Sequence, residues 1–254
     1  GLPPAEVHAR LADVSPGTAS PPDVKPLLER LSRLSVPVLV DCTAADGMET
    51  LYAEAFRRGI HVVAANKKPL ARPWKECESL HGLARAHFRT WHYETTVGAS
   101  LPVIETLKNL VRTGDRVECI EGCFSGSLGS ICHALMDGVP LSQAVRTATT
   151  KGYTEPHPRD DLSGLDVARK ALILARELGL ELELEDVAVE PLVPPEHLRE
   201  EDPETFLRTL GSLDADVSAQ VSRYRAAGRS LRYLAQILPN APGGPRVKVG
   251  PVAV

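Results

Sequence analysis

No apolar run in this 254-residue chain approaches the roughly 20 residues that a membrane-spanning helix needs. Basic residues are not in excess either: 29 Lys and Arg stand against 33 Asp and Glu, a formal charge of −4. That balance leaves no electrostatic footprint for nucleic acid or an anionic membrane. The opening residues, Gly1-Leu2-Pro3-Pro4-Ala5-Glu6, lack the basic and apolar regions of a secretory signal. The five cysteines, at 42, 77, 119, 123 and 132, form no Cys-x-x-Cys pair, and no histidine stands at ligand spacing to complete a zinc site. The odd count reads as reduced, mostly buried thiols in a cytoplasmic protein. Internal repeats and low-complexity tracts are missing, and so is any Gly-x-Gly-x-x-Gly turn.

What remains is ordinary globular composition, 43% hydrophobic and 24% charged, with length for one large domain or two small ones. After a Pro- and Ser-rich start with a short amphipathic stretch around Val24 to Leu34, strand and helix alternate. Val36 to Val40, Ile60 to Ala65 and Phe88 to Tyr93 read as strands, Met48 to Arg58 and Trp74 to His87 as helices. This predicts an α/β fold with a doubly wound parallel sheet over residues 1–96. From Val97 the pattern changes to α+β, through residue 254. Helices are expected at Pro102 to Arg112, Leu128 to Asp137, Leu141 to Thr150, Leu162 to Leu178 and Pro203 to Ala226. Strands are expected at Val117 to Phe124, Val187 to Val189, Leu231 to Leu238 and Arg246 to Val249. The strands from Val117 and Leu231 carry apolar residues that one small layer would leave uncovered, which points to a dimer.

The most informative stretch runs from Gly152 to Lys170. It packs Glu155, Asp160, Asp161, Asp166 and Lys170 onto a loop stiffened by Pro156 and Pro158, running into a helix. Asp166 and Lys170 are i and i+4 on that helix, in the favourable order. Four carboxylates and an amine held together suit a small zwitterion with an acid/base beside it. A solvated charged loop with a routine helix-surface pair is the alternative.

The run Gly-Tyr-Thr-Glu-Pro, with Arg159-Asp160-Asp161-Leu162 and Asp166 to Lys170 after it, resembles the substrate-site signature of the homoserine dehydrogenase family. Three further blocks are similar to that family. They are Val40-Asp41-Cys42-Thr43 followed by Val62 to Lys68, Glu94 to Ile104, and Gly122 to Leu128. The likeness spans roughly residues 30 to 250 in the family's order. The wording at 41–43 and 125–128 is nearest to the dehydrogenase half of bifunctional aspartokinase–homoserine dehydrogenases.

The resemblance implies interconversion of aspartate 4-semialdehyde and homoserine with NAD or NADP, in the synthesis of threonine, methionine and isoleucine. On this view Lys170 donates the proton, Asp166 orients it or binds substrate, and Lys67 is a second cation at substrate and nicotinamide. Lys68 is read as a surface lysine. Glu155 and Asp161 take the substrate ammonium. Gly126 and Ser127, in a turn after a strand, offer amides to its carboxylate or aldehyde oxygen. Thr43 touches the nicotinamide end. Glu94, Val97, Ala99 and Leu101 match positions that bind a monovalent cation such as sodium, mostly through carbonyls, and Ser100 stands where a Gly is common. Asp160 or Ser163 caps the following helix, His157 is a surface residue, and Arg159 braces the carboxylates. The family is typically dimeric, and some members are fused to an aspartokinase domain. Without the glycine turn, residues 1–96 read as a nucleotide-binding unit lacking its first strand, so the chain resembles an internal piece of the enzyme or a natural short form. A cofactor-incompetent dimerising module and a related semialdehyde oxidoreductase are the other readings.

Overall fold

The computed structural model describes residues 24–254. Expectations that fall on residues 1–23 lie outside the described residues. Helix α1 (Lys25–Leu31) leads into a unit built of β1 (Val38–Asp41), α2 (Met48–Arg57), β2 (His61–Ala64), α3 (Trp74–Ala86) and β3 (Trp91–His92). The strands are parallel in the order β1-β2-β3, with Val40 opposite Val63 and Val62 opposite Trp91. Each parallel step requires a helical crossover, and α2 and α3 supply it. Gly59, at φ 76, turns the chain from α2 into β2. Tyr52, Ala55 and Phe56 of α2 and Cys77, Leu80 and Ala84 of α3 bury against Leu39, Val62 and Ala64 of the sheet. Val38, Val40 and Val63, on the opposite face, are exposed.

The second unit comprises α4 (Val103–Arg112), β4 (Ile120–Gly122), α5 (Gly126–Met136), α6 (Leu141–Thr150), α7 (Pro158–Leu162), α8 (Leu165–Glu177), β5 (Val187–Val189), α9 (Pro203–Thr209), α10 (Asp214–Ala226), β6 (Leu231–Leu238) and β7 (Arg246–Ala253). Its sheet runs β4-β6-β7-β5, antiparallel except for the parallel β5/β7 pair. Helix α8 lies across it, burying Val167, Ala168, Ala171, Leu172 and Leu174. The α/β class and the change of pattern after the parallel sheet are as the sequence implied.

Several expectations change. The segments 88–93 and 117–124 pair over only two and three residues, while β7 runs on to Ala253. The stretch 203–226 is broken by a 3₁₀ turn at Leu210–Leu213. The expected helix from Leu162 is two helices, because Gly164 turns left-handed between α7 and α8. Cys42, Cys119 and Cys123 are exposed, and only Cys77 and Cys132 are buried. The apolar residues of β6 are already covered: Leu231, Tyr233, Ala235 and Ile237 are buried within the chain, and Gln236 bonds Glu121 on the outer face at 2.8 Å. Val117 and Ile120 are partly buried against the same core, so these strands do not by themselves require a second copy.

Gly164 combines a φ of 75° with contact: a Cβ there would collide with the Tyr233 hydroxyl, which donates to the Glu190 carbonyl at 2.8 Å. Gly179 has a similar φ of 81° but open space around it. The left-handed backbone alone costs a non-glycine residue about 1–2 kcal/mol. Gly164→Ala should therefore lower the urea midpoint clearly more than Gly179→Ala. Equal losses would mean that Tyr233 does not constrain this turn.

Candidate active site

The carboxyl ends of β1 and β2 face the start of α8. The strand β2 delivers Asn66 and Lys67 just past its last residue, the position where ligands sit in open parallel sheets. The turn at Gly164 delivers Asp166 to the same place, and one helical turn later comes Lys170. Asp166 uses both oxygens: Oδ1 takes the Lys67 ammonium at 2.9 Å and Oδ2 that of Lys170 at 2.7 Å. Burial acts to raise the Asp166 carboxyl, but Lys170 and Lys67 outweigh it and hold it below its ordinary value. Lys170 also donates to the Phe124 carbonyl at 2.7 Å. An ammonium has three N–H donors, so one remains for a ligand.

The loop carboxylates divide their work. Asp161 accepts the Ser127 hydroxyl at 2.5 Å on one oxygen and the Glu155 amide at 2.8 Å on the other. It is a latch between the loop and α5. The Glu155 side chain is exposed, and among the described residues its carboxylate has no hydrogen bond or ion pair. Asp160 faces Arg159 at 3.7 Å, and Arg159 reaches the Glu200 carbonyl at 2.7 Å. Asp160 does not cap α8: Gly164 occupies that position, and the Ser163 hydroxyl accepts the Leu165 amide at 3.3 Å. His157 is not a surface residue. Its Nδ1 accepts the Arg159 amide to cap α7, and its ring packs edge-on against Phe206.

Gly126 and Ser127 lie inside the first turn of α5 rather than in the turn before it. Ser125 is the cap, its hydroxyl accepting the Leu128 amide at 3.2 Å. Amides of a first helical turn have no intrahelical acceptor and favour anions. Two adjoining cavities, of about 420 and 440 Å³, share Asp161 and Asp166. Thr43, Asn66, Lys67 and Glu155 line the first, and Gly126, Ser127 and Lys170 the second.

Three residues gain roles that the sequence reading left out. Buried Tyr52 donates to Asp41, whose other oxygen accepts the Thr43 amide at 2.8 Å. Burial would raise the Asp41 carboxyl, yet these hydrogen bonds hold it low. Asn66, also buried, donates to the Ala45 carbonyl at 2.9 Å and accepts the Lys68 amide at 3.1 Å, tying the two loops that carry Thr43 and Lys67. A polar residue closing an apolar strand was the available signal. Lys68 points away, to Asp46 at 2.8 Å.

The segment expected to hold a monovalent cation lies between the two units. The Glu94 carboxylate is committed there to the amides of Ile104 and Glu105, at 2.8 and 2.9 Å, at the start of α4. Val97 is buried and Leu101 exposed. Left-handed backbone falls at Gly98 and Ala99 and not at Ser100, so the serine carries no backbone strain.

A parallel sheet with a cation at its strand ends, facing a carboxylate-rich loop on a mixed-sheet unit, defines a two-part α/β protein with a site at the seam. The family model "Homoserine dehydrogenase, NAD binding domain" matches residues 6–94 and the model "Homoserine dehydrogenase" residues 102–254. The chain belongs to the homoserine dehydrogenase family. It is 46% identical over 208 residues to the bifunctional aspartokinase/homoserine dehydrogenase of Haemophilus influenzae, covering 82% of this chain and 26% of that protein. It is 43% identical over 219 residues to a chloroplastic bifunctional enzyme of Zea mays, covering 85% and 24%. The chain thus spans about a quarter of these relatives. Among solved structures, a Candida auris protein of unknown function matches with a TM-score of 0.83 and 33% identity, covering 94% of this chain and 68% of that one. Homoserine dehydrogenase of Thermoplasma acidophilum matches with a TM-score of 0.67 and 25% identity, covering 98% and 67%.

Asp166→Asn should destabilise the chain near neutral pH, where two lysines would lose their shared counter-ion. Because the folded carboxyl lies below its ordinary value of 3.8, its contribution is complete above that value and is lost as pH falls through the lower folded value. Denaturation midpoints of the two proteins should converge on acidification. A gap that persists unchanged at strongly acid pH would show that the substitution acts by packing alone.

Proposed function

We propose that the seam site carries the homoserine dehydrogenase reaction, the interconversion of aspartate 4-semialdehyde and homoserine. The observation that supports this best is Asp166 bridging Lys67 and Lys170 between two ligand-sized cavities. NAD or NADP would supply the hydride exchange at C4, and a hyperthermophilic archaeal homoserine dehydrogenase has been solved in complex with NADPH. Thr43 and Lys67 would sit at the nicotinamide end of that group.

The chain's own residues divide the remaining work. Lys170, held by Asp166 and the Phe124 carbonyl, keeps one N–H for the reacting oxygen. It gives its proton as negative charge builds on that oxygen and takes it back in the reverse direction. Lys67 adds positive charge on the other side of Asp166. Glu155 accepts the substrate ammonium. Asp161 has both oxygens engaged, so it contributes remaining lone pairs and holds the loop in place. Gly126 and Ser127, in the first turn of α5, receive the substrate carboxylate. Glu94, Val97, Ala99 and Leu101, mostly through their carbonyls, are the candidate donors for a sodium ion between the units. A homodimer is proposed on the family resemblance alone; the fused aspartokinase belongs to the named relatives.

The competing outcome is a module that binds the amino acid without the dinucleotide. Calorimetry with NADP and with homoserine separates the two. Micromolar NADP affinity supports the dehydrogenase, and homoserine binding alone supports the module.

In a protein that turns over, Lys170→Ala should lower kcat by about 10²- to 10⁴-fold with little change in nucleotide affinity. Near-normal turnover would remove Lys170 from the reaction. Glu155→Gln should raise the KM for homoserine by about tenfold or more, as expected for loss of a charged acceptor, and more than Asp161→Asn raises it per unit of lost stability. An unchanged KM would place the ammonium elsewhere.

A further inference from the structure

A further cavity, of about 510 Å³, lies away from the seam site, between α3, β3, α4 and the far end of α8. Its volume is in the range of small-molecule sites. Its wall is aromatic: His81 stands 4.7 Å from the Trp91 ring and 5.6 Å from that of Tyr93, and Trp74 lines it as well. Its charge is mainly positive. Arg85, Arg89 and Arg112 line it and form no ion pair among the described residues. Lys108 sits 4.1 Å from the Tyr93 ring centre and forms only long ion pairs, with Glu105 at 3.6 Å and Glu177 at 3.9 Å, neither within hydrogen-bond reach. Glu177 is occupied by the Tyr93 hydroxyl at 2.7 Å. Burial, helped by Lys108 and Arg85, pushes His81 down to about 4, so its ring is neutral.

Two donors in this wall lack acceptors. Trp91 is only 6% exposed and its indole N–H has no partner, and neither has the Nε–H of Arg89. Buried donors without acceptors are uncommon and call for a cause. Trp91 and His81 both line the cavity, with their rings 4.7 Å apart.

We propose that this cavity binds a small monocarboxylate with an aromatic or apolar body. The rings take the body, and Lys108, Arg112 and the Trp91 N–H take the carboxylate. A phosphate or polyanion fits less well, because Glu78 and Glu177 also line the cavity and no cradle of glycine amides is present there.

The chain's two tryptophans, Trp74 and Trp91, both line this cavity, so intrinsic emission reports its occupancy directly. Titration with phenylacetate should change that emission with a Kd of about 1 mM or tighter, as suits a ligand of this size. Phenylacetamide, the neutral analogue, should bind at least about tenfold more weakly. Lys108→Met and, on the exposed rim, Arg112→Gln should each weaken phenylacetate about fivefold or more while circular dichroism stays unchanged. Trp91→Phe, read through Trp74, should do the same. Excess homoserine should not displace phenylacetate. Equal affinity for the amide, no response to phenylacetate at tens of millimolar, indifference to both Arg112→Gln and Trp91→Phe, or displacement by homoserine would each overturn the proposal. None of these readouts depends on dehydrogenase activity.

Discussion

Two ammonium groups from different parts of the chain meet on one carboxylate, and the arrangement of the site depends on that meeting. Lys67 comes from the end of β2 and Lys170 from the second turn of α8. Without Asp166 between them their charges would repel at this range. With it, each lysine takes its own oxygen, at 2.9 and 2.7 Å. The contact therefore does two things. It sets the parallel sheet against the mixed-sheet unit at the mouth of the site, and it keeps both lysines aimed.

One point of contact leaves a helix free to swing about it. The far end of α8 supplies the second. Arg176 is buried, and its guanidinium donates to the carbonyls of Leu70 and Arg72 at 2.7 and 2.8 Å, and to that of Leu182 at 2.8 and 3.0 Å. It also meets Glu183 at 3.1 Å. Glu183 in turn accepts the Trp74 amide at the start of α3. A buried guanidinium is tolerable because its donors are so well satisfied. Asp166 and Arg176 lie ten residues apart, about 15 Å along the helix. Fixed at both ends against the first unit, α8 is a strut, and Lys170 inherits that rigidity. Preorganisation of this kind is what the general-acid role proposed for Lys170 needs.

The parts that were legible in the sequence follow from local physics. Compact valine runs after Pro37 and Ile60 gave β1 and β2, and α6 appears over the expected residues Leu141–Thr150. The i,i+4 pairing of Asp166 with Lys170 is a property of one helix and was readable as such. What was not legible depends on partners distant in sequence. The Leu162 to Leu178 pattern is helical throughout, and only Tyr233, 69 residues on from Gly164, accounts for the tight turn there. Tyr52 looks like any core aromatic until Asp41 is placed beside it. Arg176 ends an amphipathic helix as basic residues commonly do, and its burial appears only when residues 70–72 fold over it. Ring packing on Phe206, likewise, makes His157 half-buried rather than a surface residue.

The signature loop makes the same point about charge. Its four carboxylates are similar in chemistry and sit within twelve residues, so composition treats them alike. The fold gives each a different set of donors. Asp166 receives two ammoniums, Asp161 a hydroxyl and an amide, and Asp160 the edge of a guanidinium. Glu155 receives nothing from the described residues. A cluster that would repel itself in isolation is thus dispersed into two hydrogen-bonded groups, one exposed carboxylate in a long ion pair, and one open acceptor, which lines a cavity with a spare N–H of Lys170 in its neighbour. Binding a zwitterion needs that asymmetry. A fully satisfied loop would have no affinity for an ammonium, and a fully unsatisfied one would not hold its shape.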